Sequence, residues 1–170
     1  MVTLRRVTPA DVELLVAWRE SAETTDPYGY FGMLPTHGIR QRFAEHGLLA
    51  EDGGVFVVAA EDGTVLGEVS WRTVRYGPSS ASVAYDIGIQ IVPEHRGRGH
   101  GTKAQRALAD YLFATYAVNR VQASTDVTNV AEQRSLEKAG FTREGVIRGA
   151  QWRAGEWHDL VLYGRLRGDA

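Results

Sequence analysis

The chain contains no cysteine in 170 residues, so neither a disulfide framework nor a thiol nucleophile is open to it. It also lacks an excess of either charge. With 19 Lys and Arg against 21 Asp and Glu, the formal net charge is -2, and the balance points to neither nucleic acid nor an anionic membrane as partner. No apolar run approaches the roughly 20 residues needed to span a bilayer. Met1-Val2-Thr3-Leu4-Arg5-Arg6 leads into a polar helix start rather than an apolar secretion segment, so a cytoplasmic protein is expected. Internal repeats, low-complexity tracts and linkers are missing too, and residues 1–170 read as one domain around a single core. The five histidines, His37, His46, His95, His100 and His158, are scattered, and no metal site is expected.

What is present is a buried strand, a glycine-arginine loop and an amphipathic helix in direct succession. Val83, Tyr85, Ile87, Ile89 and Ile91 alternate with Ala84, Asp86, Gly88 and Gln90, as a strand requires. Pro93 ends the ladder because it has no amide hydrogen. From Gly101 the period becomes helical, with Ala104, Ala107, Leu108, Tyr111, Leu112 and Thr115 on one side. Between the two lies Arg96-Gly97-Arg98-Gly99-His100-Gly101, whose glycines let backbone amides converge on an anion at the positive end of the helix. The order Gly101-Thr102-Lys103 does not match a P-loop, and a position past mid-chain after a hairpin disfavours a dinucleotide fold.

Elsewhere, Val2–Val7 reads as an edge strand and Thr8 as the cap of a helix ending near Glu20, with Pro9 at its first position. Residues 21 to 36 are expected to be a loop in which Tyr28, Tyr30 and Phe31 either wall a binding site or pack down as a flap. Thr36 opens a short helix that Gly47 stops. Gly54–Ala60 and Thr64–Val74 read as strands, the second turning through Tyr76-Gly77-Pro78-Ser79 onto the strand that carries Asp86. A hairpin centred near Pro78 places Ser70 opposite Asp86, with Glu68 diagonal on the same face. A strand from Asn119 to Asp126 follows, then a helix to Lys138 with Asn129 and Glu132 at capping-box spacing. Two closing strands meet at Arg153-Ala154-Gly155. The order is an α+β pattern with one βαβ crossover.

Arg96, Gly99 and Gly101 resemble the Arg/Gln-x-x-Gly-x-Gly/Ala loop of the GNAT acetyltransferases. Asn129, followed by Leu136-Glu137-Lys138-Ala139-Gly140-Phe141, and the segment from Gly155 to Tyr163 resemble the RimJ/RimL branch of that superfamily. The resemblance implies a mixed α/β GNAT fold, a central twisted sheet of about seven strands flanked by four helices. It further implies acetyl-coenzyme A as cosubstrate, with its pantetheine beside Ile89, Gln90, Ile91 and Val92 and its pyrophosphate over the loop of Arg96, Gly97, Arg98, Gly99, His100, Gly101 and Thr102. Asn129 and Arg134 match positions that reach the cofactor arm, and Asn129 also suits a plain N-cap.

Acetyl transfer to an amine needs a neutral nitrogen, a donor for the developing oxyanion and a proton for the departing thiolate. Glu68 and Asp86 are the candidate bases, and their closeness and burial are expected to raise the pKa of at least one. The proton donor is open. Many GNAT enzymes resemble one another in having a tyrosine where this chain has Leu136, and RimL-like members a serine where it has Glu132. Ser135, Tyr163 and water are the substitutes considered. The expected function is transfer of acetyl to a primary amine, on a small molecule or a protein N-terminus, by direct attack on the thioester. A non-catalytic acyl-CoA-binding module and an O-acetyltransferase stay open beside it. The expected partners are acetyl-CoA and an amine acceptor, and the edges of the last hairpin suit pairing with a second copy into a homodimer.

Overall fold

The structure, a computed structural model, describes residues 1–25, 27–32, 35–79 and 81–169. In chain order its elements are β1 (Val2–Arg6), α1 (Pro9–Glu20), the single turn α2 (Ala22–Thr25), α3 (His37–His46), β2 (Leu49–Ala50), β3 (Gly53–Ala60), β4 (Val65–Arg75) and β5 (Val83–Ile91). A 3₁₀ turn (Pro93–His95) leads to α4 (His100–Thr115), β6 (Arg120–Asp126), α5 (Val130–Lys138), β7 (Thr142–Arg153) and β8 (Glu156–Leu166). The expected α+β class stands, with two additions, β2 and α2. The second of these corrects the reading of 21 to 36 as loop throughout; Asp26, Met33 and Leu34 of that segment lie outside the described residues. Among the described residues no helix is long and apolar enough to cross a membrane.

The strands form one sheet in the order β1-β3-β4-β5-β6-β8-β7, with β2 beside β3. Every pairing is antiparallel except β5 with β6, and that parallel ladder has only two rungs, Tyr85 with Val121 and Asp86 with Gln122. Beyond them the two strands part. Their far sides are satisfied by long antiparallel partners, so the gap needs no further pairing to survive.

Each face of the sheet has its own core. On one, Ala104, Leu108, Ala109 and Leu112 of α4 and Leu136 of α5 pack on Val69, Trp71, Tyr85, Ile87 and Val121. This is the helical stripe expected from spacing, rotated slightly: Gln105 is buried with it, while Thr115 is exposed. On the other face Val12, Leu15, Val16 and Trp18 of α1 cover Val55 and Val57. The start of α1 is held by Asp11, which accepts from the amide of Thr8 at 2.7 Å and from both terminal nitrogens of Arg5 at 2.7 and 2.9 Å. The outer edge strand β7 leaves Val146, Ile147 and Trp152 exposed, and Trp152 meets Trp157 across the hairpin at 5.3 Å between ring centres.

The hairpin of β4 and β5 corrects the expected register. Arg72 faces Asp86, Ser70 faces Gly88 and Glu68 faces Gln90. The centre of the hairpin falls at Ser79 rather than Pro78, and each such step moves a partner by two residues, so the faces survive and the neighbours change.

Candidate active site

The loop between β5 and α4 is built as the glycines suggest. Gly97 and Gly99 have φ of +75° and +76°, a region that costs other residues about 1 kcal/mol or more, and Gly99 caps α4. A side chain at either would project into open space, so conformation alone, not crowding, requires glycine there. The first amides of α4, from His100 to Thr102, have no partner within the helix and give the loop an anion-binding end. The Arg96 side chain also braces the loop: Nε donates to the carbonyl of Ile91 at 2.8 Å and Nη2 to that of Thr24, which fastens the loop to β5 and α2. Arg98, like Arg96, is exposed on the loop. The ring of His100 is partly enclosed, its Nδ1 has no hydrogen-bond partner, and burial followed by the charge of Lys103 pushes its pKa down.

Beside this loop lies the gap between β5 and β6. Ile89 and Ile91 are only half-buried although they continue the core-facing row of Tyr85 and Ile87, because β6 has left their side. On that side the alternate amides between Ile87 and Ile91 have no strand partner. Gln90 and Val92 flank them, and Val92 donates its amide to Leu66. A linear arm with amide groups of its own fits such a slot by adding hydrogen bonds where the ladder stops. The residues present therefore suit a pantetheine in the gap and a pyrophosphate on the loop.

The N-terminal turns of α4 and α5 close the gap from one face. Thr102 and Ser135 hydroxyls are 3.0 Å apart, and Ser135 Oγ comes within 3.5 Å of where a side chain on Gly101 would begin. Asn129 accepts from the amide of Glu132 at 3.2 Å, so it is an N-cap. The reciprocal half of the expected capping box is absent, because the Glu132 side chain turns to Gln105 instead and accepts from its Nε2. Burial pushes the Glu132 carboxyl up to about 7, with the Gln105 bond pulling it down. Arg134 is exposed on α5. Tyr163 is fully buried on β8 and donates to Glu137 at 3.1 Å; burial, then Glu137, raises its pKa. That position removes it from the open part of the site.

On the opposite face of the sheet is a cleft of about 760 Å³. Its floor is Ser70, Arg72, Asp86 and Gly88, and its walls include Arg19 of α1, Arg42 and Glu45 of α3, and Asp52. Cleft and gap meet at Asp86 to Gly88, where β6 leaves β5. Asp86 is bound by Arg72 Nη2 at 2.9 Å and Nε at 3.1 Å, and lies 3.5 Å from Gln122 Nε2. Glu68 is buried and forked by Arg19 Nη2, 3.1 Å from each oxygen. The expected carboxylate pair is thus not a pair. Four residues of register, about 13 Å of strand, separate the two, and each has its own arginine.

The aromatic residues of the flap do not line this cleft. Tyr28 is half-buried, its hydroxyl 3.3 Å from the carbonyl of Thr128 and its ring 5.6 Å from the guanidinium of Arg153; Tyr30 is half-buried and Phe31 is 44% exposed. Arg153 is itself buried. It donates to Asp126, to Gln151 at 2.6 Å and to the carbonyl of Tyr28 at 3.2 Å, while His158 Nδ1 lies 3.0 Å from Asp126. Burial pushes the Asp126 carboxyl up, but the hydroxyl and amide of Thr128 and then Arg153 outweigh it and hold it down to about 2. This cluster ties the flap, the last hairpin and the entry to α5 together.

Sequence reasoning missed Arg19, Gln105 and Arg153. Two signals were present: a glutamate inside a strand between Gly67 and Val69, which needs a cation when buried, and a carboxyl at position 132 of a helix facing an apolar partner.

The chain matches the family model for the acetyltransferase (GNAT) domain over residues 1–142. An aminoglycoside N(6')-acetyltransferase type 1 of Klebsiella pneumoniae is 28% identical over 153 residues, 86% of this chain and 76% of that protein. An uncharacterized N-acetyltransferase of Bacillus subtilis, YoaA, is 27% identical over 165 residues, 94% of this chain and 90% of the relative. Among solved structures, the spermidine N-acetyltransferase of Vibrio cholerae in complex with CoA and spermine superposes with a TM-score of 0.81 at 18% identity, covering 99% of this chain and 96% of that one.

Proposed function

The chain belongs to the GNAT acetyltransferases, of the RimJ/RimL-like kind, and on that premise we propose that it moves acetyl from acetyl-coenzyme A to the α-amino group of a small molecule or a protein N-terminus. The observation that carries this reading is the junction at Asp86 to Gly88, where an open strand edge on one face meets a polar cleft on the other. A thioester lying along Ile89 to Val92 reaches its acceptor there. The loop from Gly97 to Thr102 supplies amides for the pyrophosphate, Arg98 adds a cation, and Asn129, the N-cap of α5, and the exposed Arg134 of that helix are the residues assigned to the cofactor arm. An unpaired amide between Ile87 and Ile91 is placed to receive the oxyanion that develops on the carbonyl.

The acceptor class follows from basicity. Both oxygens of Glu68 accept from Arg19 and Oδ2 of Asp86 accepts twice from Arg72, so neither carboxylate stands free in the cleft to take a proton directly from a strongly basic amine. An α-amino group, with a reference pKa of about 8, is partly neutral at pH 7.5 and needs little help, whereas a lysine near 10.4 needs a base this cleft does not offer. Asp86 then orients the amine and takes its proton onward through water. Aminoglycoside and polyamine acceptors, drawn from the relative and the structural neighbour, are polycations; the cleft sets arginines 19, 42 and 72 against Glu45, Asp52 and Asp86, so its charges balance and offer such acceptors no net attraction.

The test is an acceptor panel of α-amino dipeptides, a polyamine, an aminoglycoside and a hydroxyl compound, with free thiol read as product. Saturable thiol release with the dipeptides is expected, reduced about tenfold or more in Asp86→Asn at pH 7 and partly restored at higher pH. Thermal stabilisation by acetyl-CoA with no thiol from any acceptor would make the chain a binding module; release with the hydroxyl compound alone would make it an O-acetyltransferase.

A further inference from the structure

Resting on the placement of the thioester in the β5–β6 gap, we propose that Glu132 is the proton donor to the departing coenzyme A sulfur, positioned between the two helix starts by its bond with Gln105.

Three observations converge. Glu132 sits in the first turn of α5, the helix that begins where β6 ends, and reaches Gln105 in the second turn of α4, the helix that begins where β5 ends. The contact lies one turn from the Thr102–Ser135 bridge, whose hydroxyls border Gly101 and, through it, Ile89 and Ile91 in the open strand. The pair therefore spans the two helix starts that close the gap.

The hydrogen-bond pattern itself calls for a proton. Gln105 is 1% exposed; its Nε2 donates to Glu132, and its Oε1 is enclosed with no partner. A protonated carboxyl can return its hydroxyl hydrogen to that oxygen, closing a two-bond ring between amide and acid. An ionised carboxylate has nothing to return and leaves the acceptor stranded. No cation compensates a charge at Glu132 among the described residues: Arg106 of α4 donates to the carbonyl of Lys138, Arg134 is exposed, Arg153 is engaged by Asp126, and Glu137 accepts from Tyr163. Burial acts in the same direction, towards a carboxyl that gives up its proton near pH 7.

The other candidates are worse placed. Leu136 has no proton to give, Tyr163 is buried away and already donates to Glu137, and Ser135 shares its hydroxyl with Thr102. In the step itself the amine nitrogen forms its bond to the carbonyl carbon, the carbon–sulfur bond breaks, and the bonding pair leaves on sulfur. Glu132 delivers its proton to that sulfur to give the free thiol. The proton released by the amine returns to Glu132 through solvent once the thiol has left, so the enzyme ends as it began.

The experiment compares wild type, Glu132→Gln and Gln105→Leu in kcat/KM for acetyl-CoA from about pH 6 to 9 at saturating acceptor. Wild type should fall above a pH near 7. In E132Q that limb should vanish and kcat should drop about 100-fold, with acetyl-CoA still raising Tm as it does in wild type. Gln105→Leu, which removes the donor to the carboxylate and keeps the site dry, should move the limb to higher pH. An E132Q enzyme within threefold of wild type that keeps the same limb overturns the proposal. Titration of the glutamate side-chain carbons by NMR in wild type decides the protonation state whatever the variants' folding or turnover: a midpoint below about pH 5.5 for Glu132 also overturns it. Wild type that releases no thiol with any acceptor would remove the transferase reading and this role with it, whereas an active wild type indifferent to Glu132 removes this role alone.

Discussion

Arg153→Met should be among the most damaging single changes in the chain, although residue 153 lies at a hairpin tip. The guanidinium is 5% exposed and its partner carboxylate on Asp126 is 1% exposed, so truncation leaves a buried carboxylate without its cation, held only by Thr128 and His158. Breaking a buried pair by removing one partner costs about 3 kcal/mol or more. For a domain of this length that is a fall in Tm of about 6–12 °C. Asp126 is held to about 2 in the native state, so its interactions stabilise the fold at every pH above the ordinary Asp range and are lost only as pH drops through the folded value. Without Arg153 one of the interactions that oppose burial is gone while those from Thr128 remain, and the carboxyl protonates at milder acidity. The deficit of the variant should therefore shrink between about pH 7 and pH 4, and Asp126→Asn added to Arg153→Met should restore part of the loss. Melts of the four proteins across that range form a double-mutant cycle. A Tm within 3 °C of wild type at pH 7, or a double variant no better than Arg153→Met, would refute the reasoning.

Gly99→Ala forces a side chain into φ of +76° at the cap of α4, and should raise KM for acetyl-CoA about tenfold while leaving KM for the acceptor unchanged; initial rates in both substrates separate the two. Asp11→Asn tests the start of α1. The bond from Arg5, then those from Thr8, hold the Asp11 carboxyl well below the usual range, so its contribution is full above about pH 4 and fades as pH falls further. The Tm gap between wild type and D11N should be constant from pH 7 to 5 and close below about pH 3.

The strand, loop and helix proposed to carry the cofactor were legible because they are made of local signals. Strand alternation from Val83 to Ile91, a proline stop and a glycine loop lie within twenty residues, and each element's conformation depends on its own side chains. The helix cap at Asn129 and the turn at Gly155 are local in the same sense. The chemistry was less legible because it rests on contacts between distant segments. Glu68 meets Arg19 from 49 positions away, and Glu132 meets Gln105 from 27 away. No periodicity encodes such a meeting. The β4–β5 register shows the intermediate case: alternation settles which face a residue takes, while the seven residues from Tyr76 to Ser82 leave the turn's centre free to move by one.

A two-rung joint between β5 and β6 divides duties within the molecule. On the proposed reading the acyl donor lies in the seam, between the end of β5 and the starts of two helices, while the acceptor enters a surface assembled from α1, α3 and strands β3 to β5. Substitutions in that surface can retune which amine is admitted without loosening the grip on the donor. A chain arranged in this way can drift from one acceptor to another and remain an acyl-transfer catalyst throughout.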